Sequence, residues 1–138
     1  MLVVDASVAV KFLVDETGSE LARDLIASGQ PMVAPEWVLI EVASALQKKV
    51  AEQSLSESHA MAAMVALPEY FIELYSAIEE LPQALGLGFQ LGHPVYDCLY
   101  LELAARLRAK VITADVKFVK AAQRAGLKSH VQLLGEAS

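Results

Sequence analysis

Four carboxylate side chains are the residues of this sequence whose positions best suit chemistry. Asp5 directly follows the first apolar run of the chain, and Asp115 closely follows a later one. Glu41 lies inside an apolar segment, and Asp97 lies near the start of a predicted helix. Carboxylates brought together repel one another, so such a group favours a bound divalent cation. Oxygen ligands of this kind suit Mg²⁺ or Mn²⁺, either of which activates a bound water for hydrolysis.

Each carboxylate also has an ordinary structural explanation. Aspartate is a favoured residue at the start of a helix, and this explains Asp5, Asp97 or Asp115 when each is taken singly. Glu41 alone could be a boundary residue whose stem covers apolar surface. Two hydroxyl side chains accompany the acids and could position a metal-bound water or a phosphate oxygen: Ser7, two residues after Asp5, and Thr113, two residues before Asp115.

Other metal and sulfur chemistry has little support in the sequence. Three scattered histidines (His59, His93 and His130) and one cysteine offer no spacing typical of zinc ligands. Cys98 is the only cysteine, so an internal disulfide is excluded. Because it stands among apolar residues, we expect a buried thiol.

Short apolar strands that alternate with helices predict an α/β protein with a largely parallel sheet. We predict strands at 2–4, 32–34, 71–74, 110–113 and 131–134. We predict helices at about 7–14, 18–28, 36–50, 56–67, 79–91, 95–107 and 115–125, although Gly86 and Gly88 weaken the fifth. In such sheets, ligands bind beyond the carboxyl ends of the strands, where the strand order reverses. Asp5 and Asp115 should meet at that edge.

The length and composition indicate one domain, residues 1–138. No apolar run reaches the roughly 18 residues that a membrane helix needs, and the N-terminus does not resemble a signal peptide. Together with the single cysteine, this predicts a cytoplasmic protein. The hydrophobic content of 55% predicts a well-filled core and apolar surface left over for a partner.

The charge distribution is uneven, although the net charge is −6. Seven of the eleven basic residues lie between positions 106 and 128, where Asp115 is the one acidic residue. Solvated helix faces explain this pattern as well as a basic rim beside an acidic site does. Under the second interpretation, the candidates for contacts with a nucleic-acid backbone are Arg106, Arg108, Lys117, Lys120 and Arg124.

Four segments of the chain resemble the motifs of PIN-domain nucleases, and the likeness is strongest to VapC-type toxins of toxin–antitoxin pairs. The segments are Val3-Val4-Asp5-Ala6-Ser7, the helical Glu41, Tyr96-Asp97-Cys98-Leu99-Tyr100-Leu101 followed by Ala104, and Thr113-Ala114-Asp115-Val116-Lys117-Phe118. Singly they are weak signals. All four occur in the order typical of the family and span essentially the whole chain.

The resemblance implies a PIN-like three-layer sandwich and a Mg²⁺- or Mn²⁺-dependent endoribonuclease. It also implies an RNA substrate, a homodimer and an antitoxin protein that blocks the site. It places metal ligands at Asp5, Asp97 and Asp115, and makes Glu41 a further ligand or the group that orients the attacking water. Thr113 and Ser7 take supporting polar roles. Transfer, ribosomal and messenger RNA all stay open as substrates, as does the number of metal ions.

Two other classes of protein compete with this interpretation. Phosphatases with an aspartate nucleophile need a second aspartate two residues after the first, where this chain has Ser7. Receiver domains need adjacent acids near the first strand, which are also missing. A non-catalytic interaction module would keep the fold and use apolar residues such as Trp37 and Ile40 in a partner groove. The presence of all four acids favours the enzyme.

Overall fold

Five short parallel strands form the central sheet in the computed structural model, which describes residues 1–136. The strands are β1 (Leu2–Val4), β2 (Met32–Pro35), β3 (Glu73–Tyr75), β4 (Lys110–Thr113) and β5 (Val131–Leu133). Their order across the sheet is β3-β2-β1-β4-β5, and every neighbouring pair is parallel. Strands β1 and β2 are buried along their whole length because helices cover both faces of the sheet.

Seven α-helices flank this sheet within residues 1–136, and the predicted three-layer α/β sandwich is confirmed. The helices are α1 (Ala6–Leu13), α2 (Ser19–Ala27), α3 (Trp37–Ala51), α4 (Glu57–Ala66), α5 (Leu81–Leu91), α6 (Val95–Leu107) and α7 (Val116–Arg124). Helix α1 packs on α3, and α6 packs on α5 and on the three central strands. That one domain spans 1–138 stays a prediction, and residues 137 and 138 lie outside the described residues.

The strand order reverses between β1 and β4. After β1 the chain adds β2 and β3 on one side, and it then returns to place β4 and β5 on the other side. The registers Leu2 to Lys110 and Val4 to Ile112 align the carboxyl ends of β1 and β4. Asp5 and Asp115, which follow these two strands, therefore flank the point at which parallel sheets bind ligands.

Two elements begin two residues later than predicted, each for a local reason. The strand predicted at 71–74 begins at Glu73, because Leu67–Tyr70 form a 3₁₀ turn and the Phe71 N–H donates to the Pro68 carbonyl at 3.2 Å. Helix α5 begins at Leu81 after a second 3₁₀ turn, with proline in its first turn, where the missing N–H is tolerated.

The two glycines that weaken the prediction of α5 have different surroundings. A Cβ on Gly88 would lie 3.1 Å from the His93 carbonyl oxygen, whereas a Cβ on Gly86 would meet nothing within 4 Å. Gly92 ends the helix at φ +60°, a left-handed conformation that glycine adopts without strain. The missing side chain at Gly88 therefore lets the His93 backbone approach α5 closely, just before α6 begins.

None of the helices formed by residues 1–136 is long and apolar enough to cross a membrane. The buried core extends from the central strands to the inner faces of the helices, where Tyr100 and Phe118 are the largest fully buried side chains. The predicted burial of Cys98 is confirmed. Tyr100 and Phe118 also contact residues of the candidate site.

Candidate active site

Asp5 is buried at the start of α1, with an exposed fraction of only 3%. Its Oδ1 accepts hydrogen bonds from the Ser7 hydroxyl at 2.6 Å and from the Val8 N–H at 3.2 Å. The carboxylate thus caps the helix, as its ordinary explanation expected. A cap needs no burial, however, so the cap role leaves the enclosure of a charged group unexplained.

Ser7 and Thr113 join the ends of β1 and β4. The Ser7 and Thr113 hydroxyl oxygens lie 3.3 Å apart, and the Ala114 N–H donates to Ser7 Oγ at 2.9 Å. Thr113 Oγ1 accepts from the Asp115 N–H at 3.1 Å. Asp115 caps α7 by accepting from the Lys117 N–H at 2.9 Å. These bonds fix Asp5 and Asp115 beside each other at one edge of the sheet.

Asp97 lies in the first turn of α6, as predicted, and contacts a residue that the sequence did not single out. Its Oδ2 is in direct contact with His93 Nε2, and the His93 ring stacks on Phe118 with centroids 5.2 Å apart. His93 was not among the residues predicted for the site. The spacing of four residues between His93 and Asp97 was the available signal, because residues at this spacing are neighbours on a helix. His93 lies in the loop before α6, however, so helical spacing could not be assumed for it.

Glu41 extends from α3 toward α6, where the Tyr100 hydroxyl donates to its Oε1 at 2.7 Å. The carboxylate is partly buried between apolar neighbours, as the position of Glu41 beside the apolar face of α3 indicated. Tyr100 is fully buried, so its hydroxyl provides a rigid anchor. Tyr100 belongs to one of the motifs that resemble the PIN-domain family, but no role was predicted for it.

The four carboxylates influence one another electrostatically. Burial, helped by repulsion from Asp97 and opposed by hydrogen bonds to the carboxylate, raises the pKa of Asp5 from 3.8 to about 7. Burial also raises the pKa of Asp97, helped by repulsion from Asp115. The pKa of Glu41 is raised by burial and by Asp97. Asp97 therefore lies at the centre of a group of carboxylates whose ionisation is unfavourable without a positive charge.

The donor atoms at this edge fit a divalent cation. One ligand atom each from His93, Asp97 and Asp115 lie within 4.8 Å of one another. No other group of three potential ligands in residues 1–136 meets this spacing. Asp5 and Glu41 lie close enough to Asp97 for its charge to raise the pKa of each. Mg²⁺ and Mn²⁺ both bind carboxylate oxygens such as those of Asp97 and Asp115. A bound cation would favour the ionised form of Asp97 and so lower the pKa that burial raises.

The structure divides the predicted basic rim into two parts. Lys117, Lys120 and Arg124 follow Asp115 along α7 at helical spacing, and all three are exposed. Arg106 and Arg108 lie instead at the far end of α6, away from Asp97. Arg106 pairs with Glu80, and Arg108 follows the helix just before β4 begins. The structure therefore does not bring these two arginines to the carboxylates.

An apolar groove of about 560 Å³ lies beside Glu41. Trp37 and Tyr96 stack across it with centroids 5.6 Å apart and planes inclined by 2°. Its remaining apolar lining comes mainly from Leu39, Ile40, Ile78, Leu81, Val95 and Leu99. Ile40 is 57% exposed, which agrees with the expectation of leftover apolar surface around Trp37 and Ile40.

The fold and the site together define a parallel α/β protein with a cluster of acidic residues at the reversal point of its sheet. The PIN domain family model matches residues 2–124, and the chain belongs to this family. Ribonuclease VapC3 of Pyrobaculum aerophilum is 33% identical over 116 residues, which is 83% of this chain and 88% of that protein. Ribonuclease VapC1 of Mycobacterium tuberculosis is 31% identical over 134 residues, which is 96% of each chain.

A solved structure supports the fold independently of close sequence similarity. The crystal structure of PAE2754 from Pyrobaculum aerophilum superposes with a TM-score of 0.74 at 15% identity. The match covers 96% of this chain and 90% of the other. The expected PIN-like architecture is therefore confirmed.

Proposed function

We propose that this protein is a metal-dependent endoribonuclease and the toxin of a toxin–antitoxin pair. The observation that carries the proposal is the convergence of Asp5, Glu41, Asp97 and Asp115 from four separate elements. Relatives named Ribonuclease VapC, at 31–33% identity, support the reaction class. An RNA substrate implies a location where RNA is present, so the predicted cytoplasmic location is part of this proposal.

In this proposal Asp5, Asp97 and Asp115 hold Mg²⁺ or Mn²⁺. When bound, the cation lowers the pKa of a water and neutralises charge on the phosphodiester. Glu41 orients the attacking water and takes up its proton, since a carboxyl group with a raised pKa is better matched to this task near neutral pH. Tyr100 fixes the position of Glu41, and the hydroxyls of Ser7 and Thr113 hold the two strand ends together.

The exposed basic face of α7 is proposed to hold the RNA backbone. Lys117, Lys120 and Arg124 form a line that begins beside Asp115, so a backbone bound along it would lead a phosphate toward the site. The proposal gives Arg106 and Arg108 no part in this role, because they lie at the far end of α6 and Arg106 is paired with Glu80.

Two apolar surfaces support the proposed protein partners. The groove lined by Trp37, Ile40 and Tyr96 adjoins Glu41, so an antitoxin segment seated there would cover the site. On α5, exposed apolar side chains recur every four residues at Leu81, Leu85 and Phe89, with Phe89 78% exposed. Such a stripe suits a helix-to-helix contact with a second copy of the chain.

RNA cleavage tests the enzyme against the alternative of a non-catalytic PIN-like binding module. Purified protein without its partner is incubated with cellular RNA, with Mg²⁺ or Mn²⁺ or with a chelator. The variants are Asp5→Asn and Asp97→Asn, and the exposed Asp24→Asn is the matched control.

The proposal expects discrete fragments that require metal, persist in Asp24→Asn and disappear in the other two variants. A folded, metal-supplied protein that cleaves no RNA would favour the binding module. Equal cleavage by all variants would reveal a contaminating nuclease and remove the support for this site.

A further inference from the structure

His93 adds a nitrogen atom to a site whose other ligands are all oxygens. One nitrogen of its ring belongs to a group of three ligand atoms that lie within 4.8 Å of one another, with Asp97 and Asp115 supplying the others. Nε2 is the ring nitrogen that contacts Asp97. Ligands around one octahedral ion with bonds of about 2.1 Å are separated by about 3 Å when adjacent and about 4 Å when opposite. The three residues therefore lie close enough together for small side-chain adjustments to bring them around a single ion.

Contacts with Phe118, Gly88 and Asp97 hold His93 in place. It stacks on the buried Phe118 with an interplanar angle of 16°, and only 11% of its side chain is exposed. Its backbone N–H donates to the Gly88 carbonyl at 3.2 Å, which fixes the loop to α5. Nε2 contacts Asp97 Oδ2 directly, so an ion bound by both residues would replace this contact while the stacked ring keeps its position.

The donor chemistry discriminates between cations. Mg²⁺ is bound almost entirely through oxygen, whereas imidazole nitrogen suits first-row transition metals. Of the two candidate ions, Mn²⁺ binds carboxylates as Mg²⁺ does and also accepts an imidazole nitrogen, although its affinity for such ligands is the lowest of the first-row series. A site that adds one imidazole to its carboxylates therefore favours Mn²⁺ over Mg²⁺ more strongly than a site made of carboxylates alone.

We propose that His93 Nε2 is a metal ligand and that it makes Mn²⁺, rather than Mg²⁺, the preferred cation of this centre. This inference rests on the proposed function, since it refines the metal site used there. The competing role is that His93 only orients Asp97 through a hydrogen bond. That role would strengthen the binding of both cations alike, because it acts through a carboxylate that both use.

The test combines pulsed electron paramagnetic resonance of bound Mn²⁺ with calorimetric titration of Mn²⁺ and Mg²⁺. The proteins are the wild type, His93→Gln and His130→Gln. Glutamine at position 93 can still donate an N–H to Asp97 but offers no imidazole nitrogen, so it separates the two roles. His130→Gln removes an imidazole near the amino ends of the strands, where His130 and Lys110 line the same hollow.

In the wild type and His130→Gln, we expect the electron spin echo of bound Mn²⁺ to be modulated by a directly bound nitrogen. We expect His93→Gln to lack this modulation. We expect His93→Gln to weaken Mn²⁺ binding by about tenfold or more and to change Mg²⁺ binding by less than about threefold. Labelling the histidines of the wild type with ¹⁵N should alter the modulation, which supplies a test without any variant.

Two results would overturn the assignment of His93 as a ligand: no nitrogen modulation in the wild type, or an equal loss of affinity for Mn²⁺ and Mg²⁺ in His93→Gln. Neither result would affect the assignment of the carboxylates. The carboxylate site of the proposed function would then still stand, because Mn²⁺ would bind and Asp97→Asn would abolish that binding. If neither cation bound the wild type, both the inference and the proposed metal site would fail.

Discussion

Replacing Asp5 with asparagine should stabilise the metal-free protein at neutral and alkaline pH. The substitution keeps the shape of the side chain and an oxygen that can accept from Ser7 and Val8. It removes a charge from a position that is only 3% exposed. The free energy of unfolding should therefore rise, although the same change should abolish cleavage.

The magnitude follows from the pKa of Asp5, which burial raises from 3.8 to about 7. This difference corresponds to about 4 kcal/mol of unfavourable free energy in the ionised folded state. Asparagine does not reproduce every hydrogen bond of the carboxyl group, so we expect a gain of about 2 to 4 kcal/mol at pH 8.

The pH dependence has a definite sign. Because the folded pKa lies above the unfolded one, the wild type loses stability relative to Asp5→Asn as the pH rises from about 4 to about 7. Above about pH 7 the difference should stay constant. Below about pH 4 only the cost of the hydrogen bonds that asparagine lacks should remain, so Asp5→Asn should be no more stable than the wild type there. Urea denaturation with a chelator, repeated between pH 4 and 8.5, measures this difference.

The control is Asp24→Asn, which changes an exposed aspartate of α2 and should follow the wild-type profile at every pH. Asp5→Asn that is less stable than the wild type at pH 8, or a difference that does not depend on pH, would refute the reasoning. Adding Mn²⁺ should stabilise the wild type and narrow the gap, since a bound cation offsets the buried charge.

Three further predictions concern the groups around the carboxylates. Tyr100→Phe removes the hydroxyl that lowers the pKa of Glu41, so kcat should fall about tenfold and the acidic limb of its pH profile should move to higher pH, as steady-state kinetics would show. Unchanged kinetics would exclude Tyr100 as the anchor. Gly86→Ala should stabilise α5 by about 0.5 to 1 kcal/mol in thermal denaturation, whereas Gly88→Ala should give no gain and weaken Mn²⁺ binding, because its Cβ would press on the His93 carbonyl at 3.1 Å. Equal gains from both would contradict the close approach. Changing Lys117, Lys120 and Arg124 together to glutamine should lower the slope of log affinity for single-stranded RNA against log salt by about 2, measured with a chelator. Lys48→Gln, at an exposed position of α3, is the control, and an unchanged slope in the triple variant would rule out the basic face of α7.

Much of the site could be predicted because each carboxylate has a local signature. Asp5 directly follows one short apolar run, and Asp115 closely follows another. Such runs form buried parallel strands whose carboxyl ends share one edge of the sheet. Asp97 was placed in the first turn of α6 by the periodic pattern that follows it. Glu41 was recognised by apolar neighbours on both sides.

The missing parts depend on contacts between elements that have no periodic signal. His93 lies in a loop, and its position is set by Phe118 and Gly88, which are distant in sequence. The clustering of basic residues at 106–128 could not show that α6 runs away from the site and carries Arg106 and Arg108 with it. The pattern at 71–74 likewise predicts a strand that begins two residues before the start of β3 at Glu73. It contains no signal of the 3₁₀ turn that precedes the strand.

The most direct test of the central claim is single-turnover cleavage of a defined RNA in H₂¹⁸O by the wild type and Asp97→Asn. Attack by a metal-activated water predicts one ¹⁸O atom in the terminal phosphate of the wild-type product, in the presence of Mn²⁺ or Mg²⁺ only. It also predicts cleavage of an RNA with a 2′-deoxy sugar at the scissile position, and no product from Asp97→Asn. A 2′,3′-cyclic phosphate product, or cleavage that survives both chelation and Asp97→Asn, would contradict the assignment of these carboxylates as a metal-dependent hydrolytic site.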